Sequence, residues 1–267
     1  MRRDFVDLLA CPRCRGAIEL QTPTTEPLSI DAGDLVCSQC GRSFPVLGGI
    51  PRLLDKIREP STAEHFAFEW RSFPEISELY EKQFLDWIHP IDRDFFRGKT
   101  VLDAGCGKGR HLLLAARFGA RRVVGLDVSD AVEIARRNTD NLANVDILQA
   151  DLCHPPLRRA FDYIYCIGVL HHLAQPRAGF KALCELLRPG GTISIWVYGR
   201  EGNGWIVYLV DPLRKLLTAS LPLTAIKALS WPLAAWLFAL CRLIYRPANI
   251  YAKPLARFLF YNDYLEV

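Results

Sequence analysis

Val101-Leu102-Asp103-Ala104-Gly105-Cys106-Gly107-Lys108-Gly109 joins a short apolar run to a glycine loop, and residues 110–118 then read as a helix. A second apolar run, residues 122–127, ends in Asp127. Strands that alternate with helices predict a parallel sheet whose ligands lie at the carboxyl ends of the strands. We therefore expect an α/β fold with a doubly wound, mostly parallel sheet and helices on both faces.

The glycine loop suits several kinds of nucleotide site, and its neighbours argue against two of them. Glycines let the backbone approach a ligand closely and open a helix N-terminus toward it. A Walker phosphate loop has its first glycine where this chain has Leu102, and a serine or threonine where it has Gly109. The dinucleotide pattern G-x-G-x-x-G needs a third glycine where Arg110 stands.

Residues 99–199 closely resemble the class I S-adenosylmethionine-dependent methyltransferases, because five motifs of that family occur in order. The glycine loop matches the first motif. The other four are Val124-Gly125-Leu126-Asp127-Val128-Ser129, Gln149-Ala150-Asp151-Leu152, residues 161–173 and residues 187–192. The resemblance implies a Rossmann-like sheet that binds S-adenosylmethionine (SAM). The alternatives are a nicotinamide enzyme and a degenerate binding fold.

The same resemblance implies which residues contact SAM. Gly105 and Gly107 pack under its methionine part, and Asp103 lies beside the amino end. Asp127 accepts hydrogen bonds from the ribose hydroxyls, and Asp151 accepts one from the adenine amine. The expected set also contains Ala104, Cys106, Val128, Leu152 and Ile167. The alternative roles are a cap on the loop amides for Asp103 and solvated strand ends for the other two acids.

Two histidines follow the fourth predicted strand, where the methyl-donor end lies in the family. Methyl transfer is an in-line displacement that alignment alone accelerates, so a catalytic residue is not strictly required. A hydroxyl acceptor benefits from a general base, for which His171 or His172 is the candidate and His111 a weaker one. The alternative role is a polar pocket wall. Residues 166–169 lack the Asn/Asp-Pro-Pro-aromatic motif of enzymes that methylate amide or nucleobase nitrogens, which disfavours nucleic acid.

Four of the nine cysteines form two Cys-x-x-Cys pairs, which are Cys11 with Cys14 and Cys37 with Cys40. Two residues between thiolates let one tight turn aim both sulfurs at one ion, and two such turns supply the tetrahedral set that Zn²⁺ prefers. Four protein ligands leave no open position, so we predict a structural zinc. A redox dithiol and accidental spacing are the alternatives.

With its flanks, the cysteine segment resembles the small zinc-ribbon family that activates tRNA and protein methyltransferases. The matching residues are 8–12, 37–41, 44–46 and 49–51. The resemblance implies an activator role, here fused in cis and without the long central helical insertion of the separate activator.

We expect four segments: a zinc ribbon at 1–60, a helical bridge at 61–98, a SAM-binding core at 99–211 and an apolar, basic tail at 212–267. The bridge opens with the capping-box pattern of residues 61–64 and is rich in aromatic residues. A helical pair that covers the core and an aromatic wall over a ligand pocket are compatible interpretations of it. After residue 199 we find no counterpart of the sixth and seventh strands of the family.

The formal net charge of +4 is too mild to imply nucleic acid, and its source is the tail. Residues 212–267 carry seven basic and two acidic side chains, with no acid between Pro212 and Phe258. The uncharged run between Lys227 and Arg242 is shorter than the ~20 residues of a membrane span. The tail is interpreted as a helical lid or as a segment that contacts the membrane surface through residues 213–246, with a span as the third option.

Isolated single cysteines and the lack of a secretory apolar stretch favour a cytoplasmic location, peripheral to the membrane if the tail binds lipid. The sequence thus predicts SAM-dependent methyl transfer to a small-molecule or lipid- or glycan-linked acceptor. The alternatives are a cofactor-binding regulatory module with little turnover and a tRNA or protein methyltransferase with a fused activator ribbon.

Overall fold

The computed structural model describes residues 1–21, 30–54, 62–199, 204, 206–218 and 221–245, and these ranges contain nine strands and seven α-helices. The strands are β1 (Ile18–Gln21), β2 (Ala32–Cys37), β3 (Ser43–Leu47), β4 (Ile50–Leu53), β5 (Thr100–Ala104), β6 (Arg122–Asp127), β7 (Val145–Ala150), β8 (Phe161–Ile167) and β9 (Leu187–Trp196). The helices are α1 (Thr62–Ser72), α2 (Tyr80–Ile88), α3 (Arg110–Arg117), α4 (Val132–Asn138), α5 (Pro176–Leu186), α6 (Asp211–Leu217) and α7 (Leu223–Tyr245).

All nine strands belong to one sheet, in the order β1-β2-β3-β4-β7-β6-β5-β8-β9. The strands from β1 to β4 pair antiparallel, and those from β4 to β9 pair in parallel. The order reverses at β5, because β6 lies on one side of it and β8 on the other. The carboxyl ends of strands at such a switch point form the usual ligand crevice of a doubly wound fold.

Both faces of the parallel strands are buried because successive side chains point to opposite sides. On one face Leu102 and Leu126 join a core that includes α5 residues. On the other face Val101, Val123 and Tyr163 join a core built with α2, α3 and α4. The predicted α/β fold with helices on both faces is confirmed.

The cysteine-containing segment is part of this architecture and not an appended module. β4 pairs in parallel with β7, with Arg52 opposite Gln149. The Arg15 guanidinium donates to the carbonyl oxygens of Pro155 and Leu157 at 2.6 and 2.5 Å. Its apolar side chains complete the core on the α5 face; they include Phe5, Leu9, Leu35, Phe44, Val46 and Leu53. Residues 1–199 therefore form one compact unit.

The predicted boundary at residue 60 lies outside the described residues, and the four-part division stays a prediction. The bridge contains two helices, as expected, and α2 packs on the core through Phe84 and Ile88.

The chain divides into two units after Gly199, and α6 and α7 are the main described elements of the second. Pro222 precedes α7, and Pro232 lies inside it without ending it. The described residues after β9 contain no strand. None of the described helices is both long and apolar enough for a membrane crossing.

One buried carboxylate ties the chain's first residues to the sheet. The side chain of Asp146, in β7, is 1% exposed and accepts hydrogen bonds from Arg2 Nε at 3.3 and 3.2 Å. Arg122 of β6 places its Nε 3.6 Å from the same carboxylate and also pairs with Asp4. A carboxylate is stable at this depth only because cations flank it.

We predict that Asp146→Asn lowers the free energy of unfolding by about 3 kcal/mol, since two guanidinium groups lose a buried partner. Urea denaturation measures the change. Asp94→Asn is the control, because Asp94 and its partner Arg97 are both exposed, and it should cost less than about 1 kcal/mol. Equal losses in the two variants would contradict the role of Asp146.

Candidate functional site

The loop between β5 and α3 passes through three glycines in the left-handed region. Gly105, Gly107 and Gly109 have φ values of +90°, +51° and +84°. Residues with a Cβ rarely adopt such values. The backbone N–H groups of Gly105 and Cys106 donate to the Leu126 carbonyl oxygen at 2.7 and 3.0 Å. These bonds fasten the loop to the end of β6, and Val169 and Trp70 pack against Gly105 and Gly107.

Asp103, near the end of β5, is 2% exposed and incompletely satisfied. Its Oδ2 atom has no hydrogen-bond partner among the described residues. Burial raises the pKa of this carboxyl to about 8, the nearby Tyr165 hydroxyl opposes the rise, and the charge of Asp127 adds to it. A buried acceptor without a donor costs free energy, so its presence indicates a site where a ligand supplies the missing donor. An ammonium group would satisfy it.

Asp127 ends β6 and is held in place by the loops around it. Its Oδ2 accepts the Gly107 N–H at 2.9 Å, and its Oδ1 accepts the Ser129 N–H at 2.9 Å and the Ser129 hydroxyl at 2.7 Å. A carboxylate offers about four acceptor sites. The side chain is half-buried, so the remaining capacity suits a further donor.

Asp151 directly follows β7, and its side chain is 28% exposed. It accepts the Cys153 N–H at 2.9 Å, and His154 Nδ1 lies 3.8 Å from its other oxygen. The structure places the other predicted contact residues at or just after the ends of β5, β6, β7 and β8; they are Ala104, Cys106, Val128, Leu152 and Ile167. The three acids thus belong to neighbouring strands, and their contacts with a cofactor stay a prediction.

Helix α1 lies along this edge of the sheet. A Cβ built on Gly107 would stand 2.9 Å from the indole Nε1 of Trp70. The ring of Phe66, one turn earlier, lies 5.0 Å from that of His172. The helix therefore reaches from the glycine loop to the turn after β8. The sequence predicted the aromatic bridge but not the contact between Trp70 and Gly107, because 37 positions separate them in the chain.

Lys108 fastens the segment that follows α1. Its ammonium donates to the carbonyl oxygens of Phe73 and Glu75 at 2.8 and 2.7 Å, and it lies 5.2 Å from the centre of the Trp70 ring. Arg110 stands 4.9 Å from the Tyr80 ring. Cation–π contacts of this kind contribute roughly 0.5–2 kcal/mol each. The lysine of the glycine loop thus binds the protein's own chain.

His171 and His172 lie in the short turn after β8, with ring centres 4.0 Å apart. Both ring nitrogens of His171 are buried and lack a hydrogen-bond partner within the described part of the chain. Burial lowers the pKa of both imidazoles, and His172 lowers that of His171 further. Both rings are therefore neutral at pH 7 and able to accept a proton.

His111, the weaker candidate base, lies in an aromatic core. Its ring stacks on Phe84 at 4.8 Å and meets Trp87 edge-on at 6.0 Å. Burial, with the charge of Arg110, lowers its pKa well below the ordinary value. This enclosed position favours a packing role.

The four ribbon cysteines come together as predicted. Their sulfurs all lie within 4.8 Å of one another, with Cys11 to Cys40 at 3.7 Å and Cys14 to Cys37 at 3.5 Å. A tetrahedral ion with Zn–S bonds of about 2.3 Å needs sulfurs about 3.8 Å apart. Backbone N–H groups of Cys40 and Gln39 lower the pKa of Cys37 to about 6. The cluster fits a structural zinc.

A residue with positive φ follows each of the two Cys-x-x-Cys turns. Gly41, expected from the sequence, has φ +70°, and Arg15 has φ +63° in the other turn. A non-glycine residue here costs about 1 kcal/mol, and the Arg15 bonds to Pro155 and Leu157 offset that cost.

Two family models match separate parts of the chain. Residues 101–191 match the family model described as a methyltransferase domain, and residues 2–49 match the model described as Trm112p-like protein. The first match covers the glycine loop and the three acids, and the second covers the four cysteines.

Two curated relatives match the central part of the chain. The ubiquinone biosynthesis O-methyltransferase of Erwinia tasmaniensis is 33% identical over 130 residues, which are 47% of this chain and 53% of that protein. The tRNA U34 carboxymethyltransferase of Pseudoalteromonas translucida is 36% identical over 140 residues, 51% of this chain and 40% of that protein. The chain thus spans about half the length of these relatives or less.

Among solved structures, one match is a complex between the Haloferax volcanii Trm112 methyltransferase activator and a methyltransferase. It is 22% identical, covers 59% of this chain and 75% of that one, and has a TM-score of 0.46.

We predict that Gly107→Ala weakens SAM binding at least about tenfold, since the methyl group would press on Trp70 and reshape the loop. Isothermal titration calorimetry measures the affinity. Gly98→Ala is the matched control, because Gly98 also has positive φ (+69°) but no described atom lies within 4 Å of its added Cβ. It should lose similar stability and keep the affinity. Equal affinities for the two variants would contradict the assignment of the loop.

Proposed function

We propose that this chain, which carries a class I SAM-dependent methyltransferase domain behind a Trm112p-like zinc ribbon, transfers methyl groups from SAM to a small-molecule or lipid- or glycan-linked acceptor. The observation that carries the proposal is the row of carboxylates at three neighbouring strand ends, Asp103, Asp127 and Asp151, beside a left-handed glycine loop. The match of residues 101–191 to a methyltransferase model supports it.

The residues at this edge fit SAM by charge. The buried Oδ2 of Asp103 suits the ammonium of the methionine part. Gly105 and Gly107 beside it lack a Cβ, which lets Val169 and Trp70 pack directly against the loop. Asp127 suits a ribose hydroxyl, and Asp151 suits the adenine amine. When bound, SAM supplies an electrophilic methyl group on a sulfonium sulfur.

The chain's remaining task is to align and deprotonate the acceptor. We assign proton removal from a hydroxyl acceptor to His171 or His172, whose neutral rings lie just after β8. Phe66 and Trp70 of α1 exclude water from the same edge and restrict the approach of the acceptor. Such restriction supplies most of the rate gain in an in-line displacement.

A tRNA acceptor is the second candidate function. The relative named a tRNA U34 carboxymethyltransferase and the Trm112p-like match of residues 2–49 favour it. Two features favour the small or lipid-linked acceptor. The net charge of the chain is only +4, and residues 166–169 lack the motif of enzymes that methylate nitrogen acceptors.

We predict that the full chain binds SAM and that Asp127→Ala weakens binding about 10- to 100-fold, the value of hydrogen bonds to a charged group. Calorimetry measures the affinity, and circular dichroism checks the fold. Asp140→Ala, which removes an exposed acid after α4, is the control and should bind as the wild type does. A wild type that does not bind SAM would refute the proposed function.

The acceptor is tested with radiolabelled SAM against small hydroxyl compounds, lipid-linked acceptors and bulk tRNA. Label transfer to tRNA alone would favour the second candidate. SAM binding with no transfer in any arm would favour a regulatory module.

We also propose that α7 lies on an anionic membrane surface and brings the chain to a lipid-linked acceptor. Its described side chains include five large apolar residues that are more than half exposed, namely Leu229, Trp231, Leu233, Trp236 and Phe238. No acid occurs between Pro212 and Phe258, whereas several lysines and arginines do. Exposed tryptophans with basic neighbours and no acids complement an anionic lipid surface.

We predict that the chain floats with vesicles containing about 30% anionic phosphatidylglycerol at low salt, and not with neutral phosphatidylcholine. Replacing Trp231 and Trp236 with alanine should weaken binding about tenfold or more, because their apolar burial is lost. Tyr208→Ala, at an exposed aromatic outside α7, is the control and should float normally. Failure of the wild type to float with anionic vesicles would refute the proposal.

A further inference from the structure

Six aromatic rings form a continuous row beside the candidate site. Its members in order are Trp87, Trp196, Tyr198, His171, His172 and Phe66. Successive ring centres lie 4.5, 4.8, 5.1, 4.0 and 5.0 Å apart. The rings come from α2, the end of β9, the turn after β8 and α1, so folding gathers four separate elements at one edge.

The row is only partly explained by packing. Tyr198 is 67% exposed, and Trp196 and Phe66 are half-buried, so part of each ring is open to solvent. At the centre of the row, His171 has two buried ring nitrogens that no described residue contacts by a hydrogen bond. A tyrosine ring exposed beside an unsatisfied imidazole is what a stacking surface with one polar anchor requires.

We propose that this row selects an aromatic hydroxyl acceptor, a phenol or catechol, which stacks on Tyr198 and Trp196 and gives its proton to His171 or His172. The inference rests on the proposed function and narrows its acceptor class. Flat π systems prefer offset or edge contacts with centres 4.5–7 Å apart, the spacing that the row already uses. A saturated ring of equal size would gain only its apolar burial.

The transfer step balances with these groups. The phenol oxygen forms the new bond to the methyl carbon while the carbon–sulfur bond breaks and its electron pair goes to sulfur. The phenol proton moves to a ring nitrogen of the His171–His172 pair and then to water, which the exposed His172 reaches. The products are an aryl methyl ether and a neutral thioether, and no oxidant or reductant takes part.

The test compares 2,3-dihydroxynaphthalene with decahydronaphthalene-2,3-diol, which has the same skeleton and hydroxyl positions but no π system. Calorimetry or saturation-transfer NMR on the full chain measures binding with and without SAM. We expect the aromatic diol to bind about tenfold more tightly, and Tyr198→Leu to remove about three- to tenfold of its affinity. Phe180→Leu, at a partly exposed ring on α5 outside the row, is the control and should change neither value.

The outcomes separate this inference from the proposed function. Equal affinity for the two diols, or an equal loss in both leucine variants, would overturn the aromatic selection even where SAM binds. Absence of SAM binding with a preserved aromatic preference would refute methyl transfer and leave the stacking surface standing. Methylation of the aromatic diol, and not of the saturated one, would support both.

Discussion

Parallel backbone pairing of β5, β6 and β7 is the constraint on which the site depends, because it brings three strand ends to one edge of the sheet. Asp103, Asp127 and Asp151 are far apart in the chain and become neighbours only through this pairing. The apolar side chains that alternate between two buried cores hold the strands together. Of the three, Asp103 opposes folding, since a buried carboxyl oxygen without a donor costs free energy.

The ribbon contributes to this edge as well as to the core. Arg52 of β4 donates to Gln149 Oε1 at 2.9 Å, and Gln149 Nε2 donates in turn to Asp130 Oδ1 at 3.0 Å and to the Val128 carbonyl oxygen at 3.2 Å. Val128 and Asp130 belong to the loop after Asp127. Arg52 of the ribbon thus stabilises the loop that follows Asp127, a predicted cofactor-binding residue. Fusion of the ribbon in cis therefore contributes to the position of this loop.

Features that depend on residues close together in the sequence could be predicted, whereas features that depend on long-range packing could not. The glycine loop and the two Cys-x-x-Cys turns are encoded within a few residues, so the sequence indicated both. It also predicted the shared edge of the acids, because strand ends in a parallel sheet meet. By contrast, the sequence alone gave no sign of the contact between Trp70 and Gly107, the pairing of β4 with β7 or the left-handed Arg15. Each depends on a partner elsewhere in the chain or on tertiary bonds.

The raised pKa of Asp103, about 8, connects stability to binding. An unfolded aspartate ionises near pH 4. The folded group holds its proton up to about pH 8, so its burial lowers stability as pH rises between these values. Under the proposed function, the ammonium of SAM favours the ionised carboxylate and binding releases this proton below pH 8. Asp103, which lowers the stability of the unliganded fold, is then the side chain that the ammonium group stabilises most. One buried carboxyl therefore accounts both for the instability of the site and for its selectivity for a cation.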